Sequence, residues 1–141
     1  MAPYFTAPIA TVRRDDLVGQ AAGCQYATAA GRSSINVVVV TGSQAQAFFN
    51  ASKTDNGVAG AAMSAIGDNA VRSAHDVWVS AIKANVFCGI SGQHGAVAAK
   101  GTGELAGLKD YDTNDDVPDA VAAPVAARLG ATCSKLFSTG P

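Results

Sequence analysis

The sequence predicts an α+β domain in which an antiparallel β-sheet of about five strands is packed by helices. Three observations support this fold class: four consecutive valines at residues 37–40, three short β-compatible segments between residues 70 and 91, and an alanine-rich C-terminal stretch with an apolar stripe at helical spacing. The connections between the short segments have hairpin length, which favours antiparallel pairing. The predicted order is ββ-α-βββ-α, arranged as a two-layer or an α/β/α sandwich.

Length and charge narrow the range of functions. The chain has 141 residues, of which 10 are Lys or Arg and 11 are Asp or Glu, so we expect no surface for nucleic acid. The hydrophobic fraction of 48% consists largely of 29 Ala and 15 Val. No uninterrupted apolar run is long enough to predict a transmembrane segment. We expect residues 1–22 to be an irregular or partly helical lead-in and residues 23–138 to form a single α+β domain.

The predicted strands fall into two groups. A first hairpin joins residues 24–28 to the valine-rich strand Ser34–Thr41, whose two apolar faces predict a central position with both faces covered. The second group comprises residues 70–73, 77–82 and 86–91, which two short connections join as successive antiparallel neighbours. Alternation along each strand then assigns its side chains to one or the other face of the sheet.

The first predicted helix follows the valine strand. Ser43 and Gln46 have the spacing of a capping box, which predicts a helix over residues 44–53. Phe48 and Phe49 belong to its apolar stripe, so we expect both to anchor the helix in the core.

The second predicted helix begins within residues 115–119, where acidic residues and an early proline are typical of a helix start. Pro124 lacks the backbone N–H that an uninterrupted helix needs, so we expect a kink or a break there. Residues 91–113, which precede this helix, are rich in glycine and suggest a lid, a binding loop or a short helix. The inner face of the helix is an apolar stripe at spacings of three and four: Val117, Val121, Val125, Leu129, Cys133 and Leu136.

Three cysteines leave two interpretations open. Cys24, Cys88 and Cys133 could all be buried thiols, or two of them could form a disulfide that would indicate an oxidising compartment. Cys88 lies on a strand face and Cys133 on the inner stripe of the last helix, so we rank the Cys88–Cys133 pair first. The Cys24–Cys133 pair ranks second and the Cys24–Cys88 pair third. No pair has the spacing of a zinc site, and we expect no metal and no cofactor.

Few residues have the pattern of a chemical site. Trp78 and Tyr26 could line a ligand pocket, although a tryptophan within a strand is more often part of the core. Gln93 and His94 lie in the glycine-rich segment and are the further candidates for ligand contacts.

We predict no catalytic residue. An acid–base pair of His75 and Asp76 would need a cleft but falls in a predicted hairpin turn. A Cys88–His94 nucleophile pair conflicts with a core-facing Cys88.

Short motifs in this chain resemble a known family. The residues Gly23-Cys24-Gln25-Tyr26 on the first strand, the turn at residues 66–70 and the alanine-rich final helix look like actinobacterial cell-envelope lipoprotein domains of the LpqN type, which have a PsbP-like sandwich fold. The resemblance extends over residues 23–136. It implies an exported, membrane-anchored, non-catalytic domain that binds a small molecule, a glycolipid or an envelope protein. Such domains usually have a preceding helix whose cysteine pairs with the first-strand cysteine, and residues 1–22 contain no cysteine.

Three hypotheses about function follow. The first is an extracytoplasmic binding domain, secreted or lipid-anchored in its native form, whose ligand region comprises residues 91–113 and one face of the sheet; a cytoplasmic location stays open. The second is a structural protein that assembles with copies of itself, which low charge and small side chains would suit. The third is a small tailoring enzyme of the cyclase or isomerase type, which would need His94 or Asp76 inside a closed apolar pocket.

Overall fold

The computed structural model of the protein describes residues 9–16, 21–28, 34–55, 57–73, 77–93 and 117–139. Nine strands and two α-helices are present in these ranges. The second helix is the longer one and follows the last strand of the chain. In chain order, the elements are β1 (Ile9–Asp16), β2 (Ala21–Thr28), β3 (Ser34–Thr41), α1 (Ala45–Ala51), β4 (Thr54–Asp55), β5 (Val58–Ala59), β6 (Ala61–Met63), β7 (Asn69–Arg72), β8 (Trp78–Lys83), β9 (Val86–Gln93) and α2 (Asp119–Thr139).

The main sheet has seven strands in the order β1-β2-β3-β9-β8-β7-β6, and all its neighbouring strands are antiparallel. The predicted antiparallel α+β fold is therefore confirmed, with more strands than expected. Both predicted hairpin groups form. The second group returns so that β9 lies against β3, which places the valine strand inside the sheet, as predicted.

One face of the sheet, here called the α2 face, packs against the long helix α2. Ile35 from β3, Val79 from β8 and Ile90 from β9 are at most 2% exposed there, and Leu129 from α2 is buried among them. The α/β/α alternative is the correct one, because the other face packs against the short helix α1 and is here called the α1 face. Its buried cluster comprises Ala21, Val40, Ala45, Phe49, Ile82 and Phe87.

The disulfide predicted first, between Cys88 and Cys133, is present. Its Cα atoms are 5.7 Å apart, and the two residues are at most 1% exposed. The bond fastens α2 to β9, the central strand of the sheet. Cys24 is a free and half-buried cysteine on β2.

Several local predictions were wrong. Residues 9–16 form strand β1 rather than an irregular or helical segment, because they pair along their length with β2. The capping box is absent: Gln44 is the N-cap of α1, without a side-chain capping bond, after a 3-10 turn at Gly42–Gln44. Helix α2 continues through Pro124 without a break. This proline is exposed and lies only one and a half turns from the helix start, where few bonds are lost.

Candidate functional site

An open groove lies on the α1 face, beside the short helix. Helix α1 has only seven residues and covers the part of the face formed by Val40, Ile82 and Phe87. The part of β3, β9 and β8 next to it is left uncovered by α1, and forms a groove of about 270 Å³. The lining residues are Asn36, Val38, Phe48, Ser52, Trp78, Val79, Ser80, Phe87, Gly89, Ile90 and Ser91.

Aromatic side chains supply the apolar part of this groove. Trp78 is half-buried at the start of β8, where it lies opposite Ser91 of β9. Phe48 comes from α1 and is 41% exposed, which contradicts its predicted role as a core anchor. Its ring centroid is 5.9 Å from that of Phe87, at an interplanar angle of 45°. Phe49, by contrast, is buried as predicted, so α1 uses one phenylalanine for the core and presents the other beside the groove.

The floor of the groove is mostly apolar and carries a few polar side chains. Strand pairing places Ser80 opposite Gly89, and Gly89 opposite Val38. A methyl group on Gly89 would come within 3.1 Å of the Phe87 ring. Glycine therefore leaves this part of the groove free of a side chain. One row further along the strands, Asn36 and Ser91 lie opposite each other. Hydroxyl and amide groups thus lie between the aromatic side chains.

The described residues that line the groove carry no charge, since none of them is Asp, Glu, Lys, Arg or His. A nearby cation, the Lys53 ammonium, lies 5.0 Å from the centroid of the Phe49 ring and is held there by a cation–π contact. An uncharged groove with aromatic walls and a few polar groups is typical of a site for a small neutral ligand.

The four residues predicted to contact a ligand are not all brought together. Trp78 lines the groove, but Tyr26 packs on the α2 face against the cluster around Ile35 and Leu129. Gln93 ends β9 opposite Ser34. His94 and the rest of the glycine-rich segment up to residue 116 lie outside the described residues.

Asn36, Ser80 and Ser91 were not predicted as groove residues. The signal was present, because each of them alternates with apolar residues of the α2 face on β3, β8 and β9. Only the strand order shows that these three polar positions are neighbours across the sheet. The single Trp of the chain belongs to the same face, so it could have identified that face in advance.

Two further cavities adjoin helix α2. One of about 230 Å³ lies at its C-terminal end, between Leu136, Phe137, Lys83 and Val39. The other, of about 430 Å³, lies between the small residues of α2 and the β6 edge. Within the described ranges, no group of three or more His, Cys, Asp or Glu side chains could hold a metal ion. No helix in the described part of the chain is long and apolar enough to cross a membrane.

Comparison of this chain with family models, with curated proteins and with solved structures found no match.

Proposed function

We propose that this protein is a non-catalytic, extracytoplasmic binding domain that holds a small molecule, or one end of a glycolipid, in the groove on the α1 face. The observation that carries the proposal is the pair of accessible aromatic side chains, Trp78 and Phe48, beside a few polar side chains in a mostly apolar groove. Large aromatic groups in a concave site provide contact area, and a few fixed polar groups provide orientation. The volume of about 270 Å³ suits a small molecule or a short chain rather than a large cofactor.

The location outside the cytoplasm rests on the buried disulfide. Bonds such as Cys88–Cys133 form and persist in oxidising compartments and are rare in the cytosol of most organisms. The bond is compatible with a secreted or an anchored protein of the cell envelope, the class that the LpqN-type motifs imply. A small-molecule or envelope-derived ligand would be consistent with that location.

The proposal can be tested with a neutral fluorescent probe, N-phenyl-1-naphthylamine. Trp78 is the only tryptophan of the chain, so energy transfer from it reports that the probe is bound, and a groove variant is needed to assign the site. We expect saturable binding at one site. The Phe48→Ala variant should bind the probe about three- to tenfold more weakly, because it loses one aromatic contact.

A matched control is Val58→Ala, which truncates another exposed apolar side chain, on β5 and away from the groove. It should bind the probe with the wild-type affinity. Non-saturable binding by the wild type, or equal loss in both variants, would contradict a ligand site in this groove.

Self-assembly is the second candidate, and strand β1 favours it. This eight-residue strand forms one edge of the main sheet, and its Val12 is 64% exposed. Free edges of this kind can pair with another chain, although charges such as Arg13 and Asp15 counteract such pairing. Light scattering coupled to size-exclusion chromatography should show a concentration-dependent dimer, and Val12→Lys should abolish it. A monomer at all concentrations would eliminate this candidate.

A further inference from the structure

Ser80 has a buried hydroxyl for which the described part of the chain provides no hydrogen-bond partner. The residue is only 3% exposed, and yet it lines the groove. The other buried hydroxyl residues differ in this respect: Thr28, Ser34 and Ser73 each have a partner. Buried polar groups are almost always hydrogen-bonded in folded proteins, because an unsatisfied one costs folding free energy. Among the described residues, Ser80 is thus a buried serine whose hydroxyl is available to a group that enters the groove.

The surroundings of Ser80 leave room for such a partner. The residue directly opposite on β9 is Gly89, which has no side chain, and Val38 follows on β3. Trp78, two residues earlier on the same strand, projects on the same face and lines the same groove. A planar or ring-shaped group against Trp78 would thus have the Ser80 hydroxyl beneath or beside it.

The chemistry of the lining restricts the class of ligand. No charged side chain among the described residues lines the groove, so none of these residues would balance a carboxylate, a phosphate or an ammonium group. Leaving the charge of a ligand unpaired on entry into a partly buried site is costly. Asn36 and Ser91 add an amide and a second hydroxyl next to Trp78. Uncharged donors and acceptors of this kind match the hydroxyl groups of a neutral ligand.

We infer that Ser80 is the specificity-determining residue of the groove, and that its hydroxyl binds a hydroxyl group of an uncharged ring compound that packs on Trp78. This inference rests on the proposed function, since it names the ligand class of the same site. A groove of about 270 Å³ is slightly smaller than ordinary small-molecule sites, which suits the neutral head group of an amphiphile better than a whole molecule.

The test uses n-octyl β-D-glucoside as a monomeric probe, followed by the fluorescence of Trp78. Sodium octyl sulfate and octyltrimethylammonium carry the same eight-carbon chain on an anionic and a cationic head group. We expect the glucoside to bind at least tenfold more tightly than either charged probe. Equal affinities for the three probes would overturn the ligand class but leave groove binding in place.

The role of Ser80 is tested by Ser80→Ala, for which two effects of opposite sign are expected. Removal of an unsatisfied buried hydroxyl should raise the Tm of the free protein by about 2–4 °C. The same change should weaken glucoside binding about three- to tenfold, because one hydrogen bond to the ligand is lost. A serine with a merely structural role would not combine these effects.

Ser73→Ala is the matched control, because Ser73 is a serine of similar burial that has a partner and does not line the groove. It should lower the Tm and leave glucoside binding unchanged. A Tm loss in Ser80→Ala like that of Ser73→Ala would show that the Ser80 hydroxyl is already bonded within the protein and overturn the inference. A higher Tm with unchanged glucoside affinity would also overturn it. Failure of the glucoside to bind a protein that does bind the neutral naphthylamine probe would reject the inference alone, and failure of both probes would reject the groove as a site.

Discussion

Cys88 in the central strand and Cys133 in the last helix are joined by a disulfide that fastens helix α2 to the middle of the sheet. The two residues are 45 positions apart in the chain, and the bond is buried between helix α2 and the sheet. It lies in the larger of the two core clusters, to which β3, β7, β8, β9 and α2 all contribute. The disulfide therefore closes a loop that contains the connection between β9 and α2. Both of these elements are packed in the larger core cluster.

Removal of this disulfide should cost a large part of the stability. In the chain-entropy model, a bond across 45 residues contributes about 4 kcal/mol, since it limits the unfolded chain. We expect the double variant Cys88→Ala/Cys133→Ala to lose about that much unfolding free energy in urea titrations. Cys24→Ala is the control and should change stability by less than about 1.5 kcal/mol, because Cys24 is unbonded and half-buried. Alkylation of all three cysteines in the unreduced, unfolded protein would contradict the bond itself.

Replacement of Gly130 by alanine should destabilise the protein even though alanine favours helices. Gly130 is buried in α2, and a Cβ atom there would overlap the Cδ1 atom of Ile66. The overlapped atom is the end of a side chain, but Ile66 is only 7% exposed and is packed in the larger core cluster. We therefore expect overpacking to cost about 1–3 kcal/mol and to exceed the gain of about 1 kcal/mol from helix propensity. Urea unfolding measures the difference.

The Ile66→Val substitution removes the overlapping Cδ1 atom and serves as the test of this explanation. In the Gly130→Ala background it should restore part of the lost stability, whereas in the wild-type background it should cost about 0.5–1.5 kcal/mol. Additive losses in the double variant would show that contact with Ile66 is not the cause.

The turn between β8 and β9 should be stabilised by the substitution Ala84→Gly. Ala84 has φ of 49°, in the left-handed region, and its backbone N–H donates to the Asp68 carboxylate at 2.7 Å. Glycine retains that hydrogen bond and relieves the backbone strain, so we expect a net gain of about 0.5–1 kcal/mol after its larger entropy cost. As a control, Ala127→Gly on the exposed side of α2 should lose about 1 kcal/mol. A loss in both variants would argue against a left-handed Ala84.

The ion pair between Arg72 and Asp119 should contribute more than an ordinary surface pair. Nη2 of Arg72 lies 2.7 Å from the Asp119 carboxylate, and the Arg72 side chain is only 12% exposed. We expect Asp119→Asn to cost about 1 kcal/mol, because a poorly hydrated guanidinium loses its anionic partner while the carboxylate itself is largely exposed. The exposed pair Arg13–Asp15, at 2.8 Å, provides the control. Asp15→Asn should cost less than about 0.5 kcal/mol in the same urea titration. Equal losses in Asp119→Asn and Asp15→Asn would show that the Arg72–Asp119 pair contributes no more than an ordinary surface pair.

Local patterns in the sequence were sufficient for most of the sheet. The valines at residues 37–40 and the strict alternation along β8 and β9 predicted which residues share a face, since successive side chains of a strand project to opposite sides. The disulfide could be ranked first for the same reason: Cys88 belongs to a core-facing strand position and Cys133 to the inner stripe of a helix. Strand β1 was missed because its charged and small residues have no apolar alternation, and pairing with β2 determines its structure.

The sequence by itself determined the fold class, the faces of the strands and the Cys88–Cys133 pair, because periodicity and residue type act over a few neighbouring positions. Tertiary structure alone decided which of those positions meet. The insertion of β9 beside β3 brings Asn36, Ser91 and Ser80 into one groove with Trp78, and the same sheet places Tyr26 on the opposite face. It also decided that Phe48 is exposed while Phe49 is buried, because the side of α1 that carries Ala45 and Phe49 is the one packed against the sheet. Contacts between distant segments depend on strand order, which local sequence patterns do not encode.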